Sequence, residues 1–181
     1  MQFDTLPEAG LPSVVLRPIG PPDLPAWLAY LSRPEVFEHT SWNSPRLEDL
    51  AAYVWSPETR PPTTVLRLAI AARSNNALVG TIGFHTLSPV NRSAELAYDL
   101  APTHWGQGIA THLCRVVTAW AHEQAKLLRI QATVLESNAR SARVLERAGF
   151  EREGLLRSYR LVRGTPGNFH MYSHLAAGRP A

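Results

Sequence analysis

At 181 residues, with 45% hydrophobic and 18% charged residues, the chain suits one globular domain with a sizeable core and excludes a disordered or fibrous polymer. Its net charge of +3 admits an anionic ligand, but no recognition helix or RNA platform accompanies that charge, so nucleic acid is not an expected partner. No apolar run approaches the ~20 residues that span a bilayer, and Met1 is not followed by a basic and then an apolar stretch, so neither a membrane anchor nor a signal peptide is expected.

Residues 1–12, broken by Pro7, Gly10 and Pro12, read as a flexible arm, 13–176 as a single domain, and 177–181 as a frayed tail. Val14–Pro18 is the first expected strand. Pro21-Pro22-Asp23 then opens a helix over Leu24–Leu31. The segment 38–43 is a polar loop carrying Trp42. A second helix is expected with Ser44 as N-cap and Pro45 at its first position. Strands over Leu66–Ala72 and 78–85 are joined by a turn at 73–77. Residues 95–100 form another strand, 107–124 a long helix, and Arg129–Leu135 a strand that alternates apolar and polar residues. A helix over 137–148 precedes a closing hairpin, 150–162 and 168–175, around the turn 163–167. Hairpins mixed with strand–helix–strand units predict an α+β fold, a sheet flanked by helices.

Cys114 is the one cysteine. It cannot form an internal disulfide and sits among apolar helix positions, so it reads as a small core residue in a reducing, cytoplasmic setting. His39, His85, His104, His112, His122, His170 and His174 raise a metal reading. His122-Glu123 lacks the second histidine of His-Glu-x-x-His and no cysteine pair exists, so packed or surface histidines are expected and no metal. No Gly-x-Ser-x-Gly elbow supports a serine hydrolase.

The most informative segment is Trp105-Gly106-Gln107-Gly108-Ile109-Ala110, between a strand and a helix. Two glycines there let backbone amides approach a ligand. The first helical turn adds unpaired N–H groups and the positive end of the helix dipole. Such a turn is a natural pyrophosphate site. It is not a dinucleotide fingerprint. Thr111 takes the third-glycine position, and Lys126-Leu127-Leu128-Arg129 stands where a ribose-binding acid belongs.

The second constellation runs from Asn138 to Phe150. Asn138 is a candidate N-cap, and Gly149 ends a short amphipathic helix. Asn138-x-x-Ser141-x-x-Val144-Leu145-Glu146-Arg147-x-Gly149-Phe150, about thirty residues after the glycine turn and followed by Glu153-Gly154-Leu155-Leu156-Arg157-Ser158-Tyr159, resembles the GNAT superfamily of acyl-CoA-dependent N-acetyltransferases. Within it the spacing is similar to the RimJ/RimL-type subgroup, which includes enzymes acetylating N-termini of ribosomal proteins. The resemblance runs from about Val14 to Leu175. It implies a mixed, mostly antiparallel sheet of about seven strands flanked by about four helices.

It also implies transfer of an acetyl group from acetyl-CoA to a primary amine, directly, in a ternary complex. An α-amine, with a pKa near 7.7–8.0, is roughly one-tenth neutral at pH 7, and a lysine amine, near 10.4, under a thousandth. The enzyme has to take or avoid that proton, stabilise an oxyanion and reprotonate a thiolate. By resemblance Glu95 is the candidate base, through water; as a bare strand residue it reads equally well as an ion-pair partner. Leu100 would offer its backbone N–H to the thioester carbonyl, and Tyr98 would line the cofactor. The Trp105, Gly106, Gln107, Gly108, Ile109, Ala110 turn would cradle the pyrophosphate, Asn138 the pantetheine amide, and Arg143 a phosphate. Trp105 replaces the Gln or Arg of many relatives. Leu145 stands where many members carry a tyrosine acid; Ser141 is then the suspected donor to the thiolate, or else a plain first-turn residue, with Tyr159 and Tyr172 in reserve. His39, Trp42, Tyr159 and Tyr172 would flank the acceptor groove, and Asn168 replaces a frequent Asp. The expected partners are acetyl-CoA and an amine acceptor, a protein N-terminus or a small molecule, with the chain a monomer or homodimer. A non-catalytic CoA-binding sensor or partner protein is the competing reading.

Overall fold

The structure, a computed structural model, describes residues 5–54 and 65–177. Its strands are β1 (Val14–Pro18), β2 (Leu66–Ala72), β3 (Leu78–Ser88), β4 (Ser93–Leu100), β5 (Arg129–Leu135), β6 (Glu151–Val162) and β7 (Thr165–Leu175). The helices are α1 (Leu24–Leu31), α2 (Pro34–Phe37), α3 (Leu47–Ala51), α4 (Ile109–Gln124) and α5 (Ala139–Arg147). One sheet holds the strands in the order β1-β2-β3-β4-β5-β7-β6. Neighbours are antiparallel except β4 and β5.

Alternation along the strands builds two cores. On β2, Ala69 packs toward one face and Ile70 toward the other. On one face, Leu113, Val117 and Ala121 recur along α4 and lie on Ile82, Phe84, Leu96 and Ile130. Leu113 is fully buried, and truncating it to Ala costs about 2–5 kcal/mol. On the other face, Trp27, Leu31, Val36 and Leu50 of the three short helices cover Ile19, Ala69 and Leu78. On β5 the even residues Ile130, Ala132 and Val134 are buried and the odd ones are not, as alternation requires.

Several boundaries move. The helix expected from Ser44 begins at Leu47, with Arg46 as N-cap, and Pro34–Phe37 forms a single extra turn. The long helix begins at Ile109, two residues late, because Gly106 and Gly108 hold φ of +75° and +76° and make a turn instead. The closing turn tightens to residues 163–164. Of the arm at 1–12, the described residues 5–12 form no helix or strand but lie on the domain: Ala9 is buried and its carbonyl accepts from His112 Nε2 at 2.9 Å. Residues 1–4, and 178–181 of the tail, lie outside the described residues.

Two irregularities position the site. β4 and β5 pair only at Ser93↔Arg129, Ala94↔Ile130 and Glu95↔Gln131. Beyond Glu95 the two strands part, leaving a wedge between Leu96–Leu100 of β4 and Ala132–Leu135 of β5. Opposite that vertex β3 bulges. Phe84 pairs with Leu96 and Thr86 with Glu95, so His85 is an inserted residue.

Candidate active site

The open edge of β4 follows from its pairing. Ala101 N–H donates to the Val79 carbonyl at 2.8 Å, which makes Gly80↔Leu100 a wide pair. In such a pair the backbone groups turn away from the partner strand, so the Leu100 amide faces the wedge. The Leu100 carbonyl is taken by Trp105 Nε1 at 2.8 Å. That leaves the Leu100 amide as a backbone donor facing the wedge.

On one side of this edge lies a cleft of about 570 Å³, lined by Gly106, Gly108, Ile109 and Ala110 and by Asn138, Ser141 and Arg143. A Cβ at Gly106 or Gly108 would meet nothing within 4 Å. These glycines are therefore required by their left-handed backbone and face open space, as a cradle for a phosphate needs. Arg140, Arg143 and Arg147, on one side of α5, form a cationic rim. Arg140 also lies over the Trp105 ring, 4.8 Å from its centroid. Gln107 turns away to donate to the Thr103 carbonyl and does not line the cleft.

Asn138 caps α5, its Oδ1 accepting from Ser141 N at 3.0 Å, while its Nδ2 donates to the His39 carbonyl at 3.0 Å. Ser141 Oγ lies 2.6 Å from the Tyr98 hydroxyl, which also donates to the Ser141 carbonyl at 3.1 Å. Burial pushes the Tyr98 phenol well above its ordinary value, so it stays a neutral hydrogen-bonding group.

A second cleft of about 360 Å³ adjoins the first. The two clefts share His39, Thr40, Tyr98, Asp99, Asn138 and Ser141, so they meet at the open strand edge. Trp42, His85, Arg160 and the buried Leu145 line the second cleft. Asp99 is its carboxylate among the described residues. Asp99 accepts from Tyr30, from Arg67 Nη2 at 2.6 Å and from Thr81 at 2.9 Å. The loop over this cleft is held by the closing turn. Arg163 donates to the carbonyls of Phe37, Glu38 and Thr40 at 3.0–3.2 Å, and its N–H to Asn43 Oδ1 at 2.6 Å.

Glu95 is 6% exposed and lines neither cleft. Its Oε1 accepts from Thr133 at 2.7 Å and from Arg160 at 3.1 Å, and faces His85 Nε2 at 3.4 Å. Burial alone would raise this carboxyl; the His85 and Thr133 hydrogen bonds and the charges of His85 and Arg160 outweigh it and hold it at about 2. That environment suits a charge that stays in place. A base works best when its pKa lies near the working pH.

Two of the expected groove residues lie elsewhere. Tyr172 is 1% exposed, packs beneath α5 and donates to Glu146 at 3.2 Å. Tyr159 is exposed and stacks outside both clefts, against Phe169 and Arg160. Cys114 is wholly buried and burial pushes its thiol up. His122 and His174 pair with each other at 3.0 Å away from the clefts. Among the described residues no group of three or more His, Cys, Asp or Glu is placed to hold a metal, and no helix is long and apolar enough to cross a membrane. Sequence reasoning singled out neither His85, Asp99 and Arg160 at the second cleft nor the Arg163 clamp.

Residues 13–151 match the model of the acetyltransferase (GNAT) domain. An uncharacterized N-acetyltransferase of Bacillus subtilis, YoaA, is 39% identical over 108 residues, 60% of this chain and 61% of that protein. The ribosomal-protein-serine acetyltransferase of Escherichia coli is 28% identical over 98 residues, 54% of this chain and 55% of that protein. The chain thus aligns with little more than half the length of these curated relatives. Among solved structures, RimJ of Mycobacterium smegmatis in complex with CoA-disulfide superposes with a TM-score of 0.78 at 25% identity, covering 94% of this chain and 84% of that one. The wedge between β4 and β5, the glycine turn and the matched model agree: the chain belongs to the GNAT acetyltransferase family and is RimJ/RimL-like.

Proposed function

We propose that the protein is an N-acetyltransferase that moves an acetyl group from acetyl-CoA to a primary amine by direct transfer in a ternary complex. The observation that carries this reading is the meeting of two clefts at the unpaired edge of β4, one with a phosphate cradle and one without. When bound, acetyl-CoA supplies an activated thioester. The cradle at Gly106–Ala110 and the arginines of α5 would hold its phosphates. The Leu100 amide would hold the carbonyl oxygen where negative charge develops. Ser141, at the N-terminus of α5 and backed by Tyr98, would give its proton to the departing sulfur. RimJ, which binds a CoA species, supports the cofactor.

The acceptor we favour carries a single amine, as a protein N-terminus does. Among the described residues the second cleft offers one carboxylate, Asp99, and three donors already occupy it. No carboxylate there remains to hold the second ammonium of a polyamine. Thiol release, measured with N-terminal peptides, polyamines and amino sugars, tests the reading. Turnover with α-amine peptides is expected. Acetyl-CoA binding with no thiol release from any amine would establish the non-catalytic alternative.

A further inference from the structure

We propose that His85 takes the proton from the acceptor amine, and that Glu95 is the positioning residue that holds it. This inference rests on the acetyltransferase reading above.

Four observations place His85 there. It is the inserted residue of the β3 bulge, and bulges re-aim a side chain that a regular strand would bury in its alternation. It sits opposite Glu95, the last residue at which β4 still pairs with β5, so it lies at the vertex of the wedge. Its side chain is 27% exposed and lines the second cleft, whereas Glu95 lines neither. Its Nε2 faces the Glu95 carboxylate, which assigns the proton to Nε2; its Nδ1 has no hydrogen-bond partner among the described residues. A histidine with one nitrogen tied to a buried carboxylate and the other left to the cleft is the arrangement that fixes a tautomer and stabilises the imidazolium.

The step balances. The amine nitrogen bonds to the thioester carbonyl carbon and loses one proton to His85 Nδ1. The carbon–sulfur bond breaks, and the sulfur takes a proton from the Ser141 hydroxyl. Solvent receives the His85 proton and restores that of Ser141. His85 faces Glu95 of β4, and the charged and titratable groups that line the cleft with it are Tyr98 and Asp99 of β4, Arg160 of β6, Arg67 of β2, Tyr53 after α3 and His39 from the loop after α2.

The test compares wild type, His85→Gln and Glu95→Gln in thiol release with one peptide acceptor, as pH profiles of kcat/KM, with acetyl-CoA affinity measured by calorimetry. His85→Gln should lower the rate by about 10²-fold or more and remove the enzyme's part of the acidic limb, leaving only the acceptor amine's own ionisation, with cofactor affinity unchanged. Glu95→Gln should keep an acidic limb but move it to lower pH, because the imidazolium loses its carboxylate. A near-wild-type rate for His85→Gln, or an unmoved limb in Glu95→Gln, overturns the proposal. If His85→Gln fails to fold, the wild-type profile decides: an acidic limb that persists for an acceptor amine of low pKa supports the proposal, and a limb that vanishes with that amine belongs to the acceptor and overturns it. A wild type that releases no thiol with any amine fails the activity reading itself, an outcome distinct from a variant that stays active.

Discussion

The Tyr98 and Ser141 hydroxyls lie 2.6 Å apart at the junction of the clefts, and on the proposed reading they stand in for the acid that Leu145 cannot be. Ser141→Ala should therefore lower kcat more than it weakens acetyl-CoA binding, because the lost interaction matters late in the reaction. Tyr98→Phe should show the same pattern more weakly. Tyr159→Phe, outside both clefts, should be silent in the same thiol-release assay; a crippled Tyr159→Phe with an active Ser141→Ala would move the acid to the closing hairpin. Gly108 offers a second residue-scale test. Its φ of +76° and empty surroundings predict that Gly108→Glu puts a strained backbone and a negative charge into the cradle. Acetyl-CoA affinity by calorimetry should fall at least about tenfold, roughly 1.4 kcal/mol. Acid stability is also set by single carboxyls. Glu95 and Glu153 are held at about 2 in the folded chain against 4.5 in the reference state. The stability they lend is complete above pH 4.5 and is lost as pH falls toward 2. Urea midpoints should be flat above that window and drop within it, and Glu95→Gln should flatten the drop in part.

At the scale of elements, the closing hairpin does more than complete the sheet. Arg163, at its turn, ties down the carbonyls of the loop that carries His39 and Trp42. Arg163→Ala should free that loop. The acceptor KM should rise several-fold while acetyl-CoA affinity stays unchanged, since the phosphate cradle lies on other elements; equal losses in both would show that the turn supports the whole domain instead. Much of the element list was legible in the sequence. β1, α1, β2 and β5 fall where alternation, Pro21-Pro22 and apolar spacing put them, because each is long enough to show its own period. Asn138 caps α5 as its residue type predicts. α2 was not legible, since a single turn such as Pro34–Phe37 shows no period. Ser44 and Pro45 carried a start signal that the chain does not use; Asp49 closes back on the Arg46 amide and starts α3 there. The β4–β5 wedge and the bulge at His85 are relations between strands. No single strand's sequence encodes them, which is why Glu95 could be read as a cleft-facing base when Thr133 and Arg160, 38 and 65 residues away, in fact surround it.

For the whole molecule, the two clefts and the one thiol bear on whether transfer is direct or runs through a covalent relay. A relay needs a nucleophile that first faces the thioester and then the amine. Cys114, on the buried face of α4, has its thiol pushed up by burial and lines neither cleft. The clefts join at Tyr98, Asn138 and Ser141, so cofactor and acceptor can be held together at one strand edge. That geometry favours an enzyme that binds both before either bond changes, with positioning supplying much of the rate. Initial rates at varied concentrations of both substrates should give intersecting reciprocal lines. Acetyl-labelled CoA added without acceptor should leave no label on the denatured protein, and Cys114→Ala should keep its turnover. Parallel lines together with retained label would place an acetyl-enzyme on the path. Ser141, a hydroxyl shared by both clefts at the N-terminus of α5, would then be its first candidate carrier, and digestion of the labelled protein would locate it.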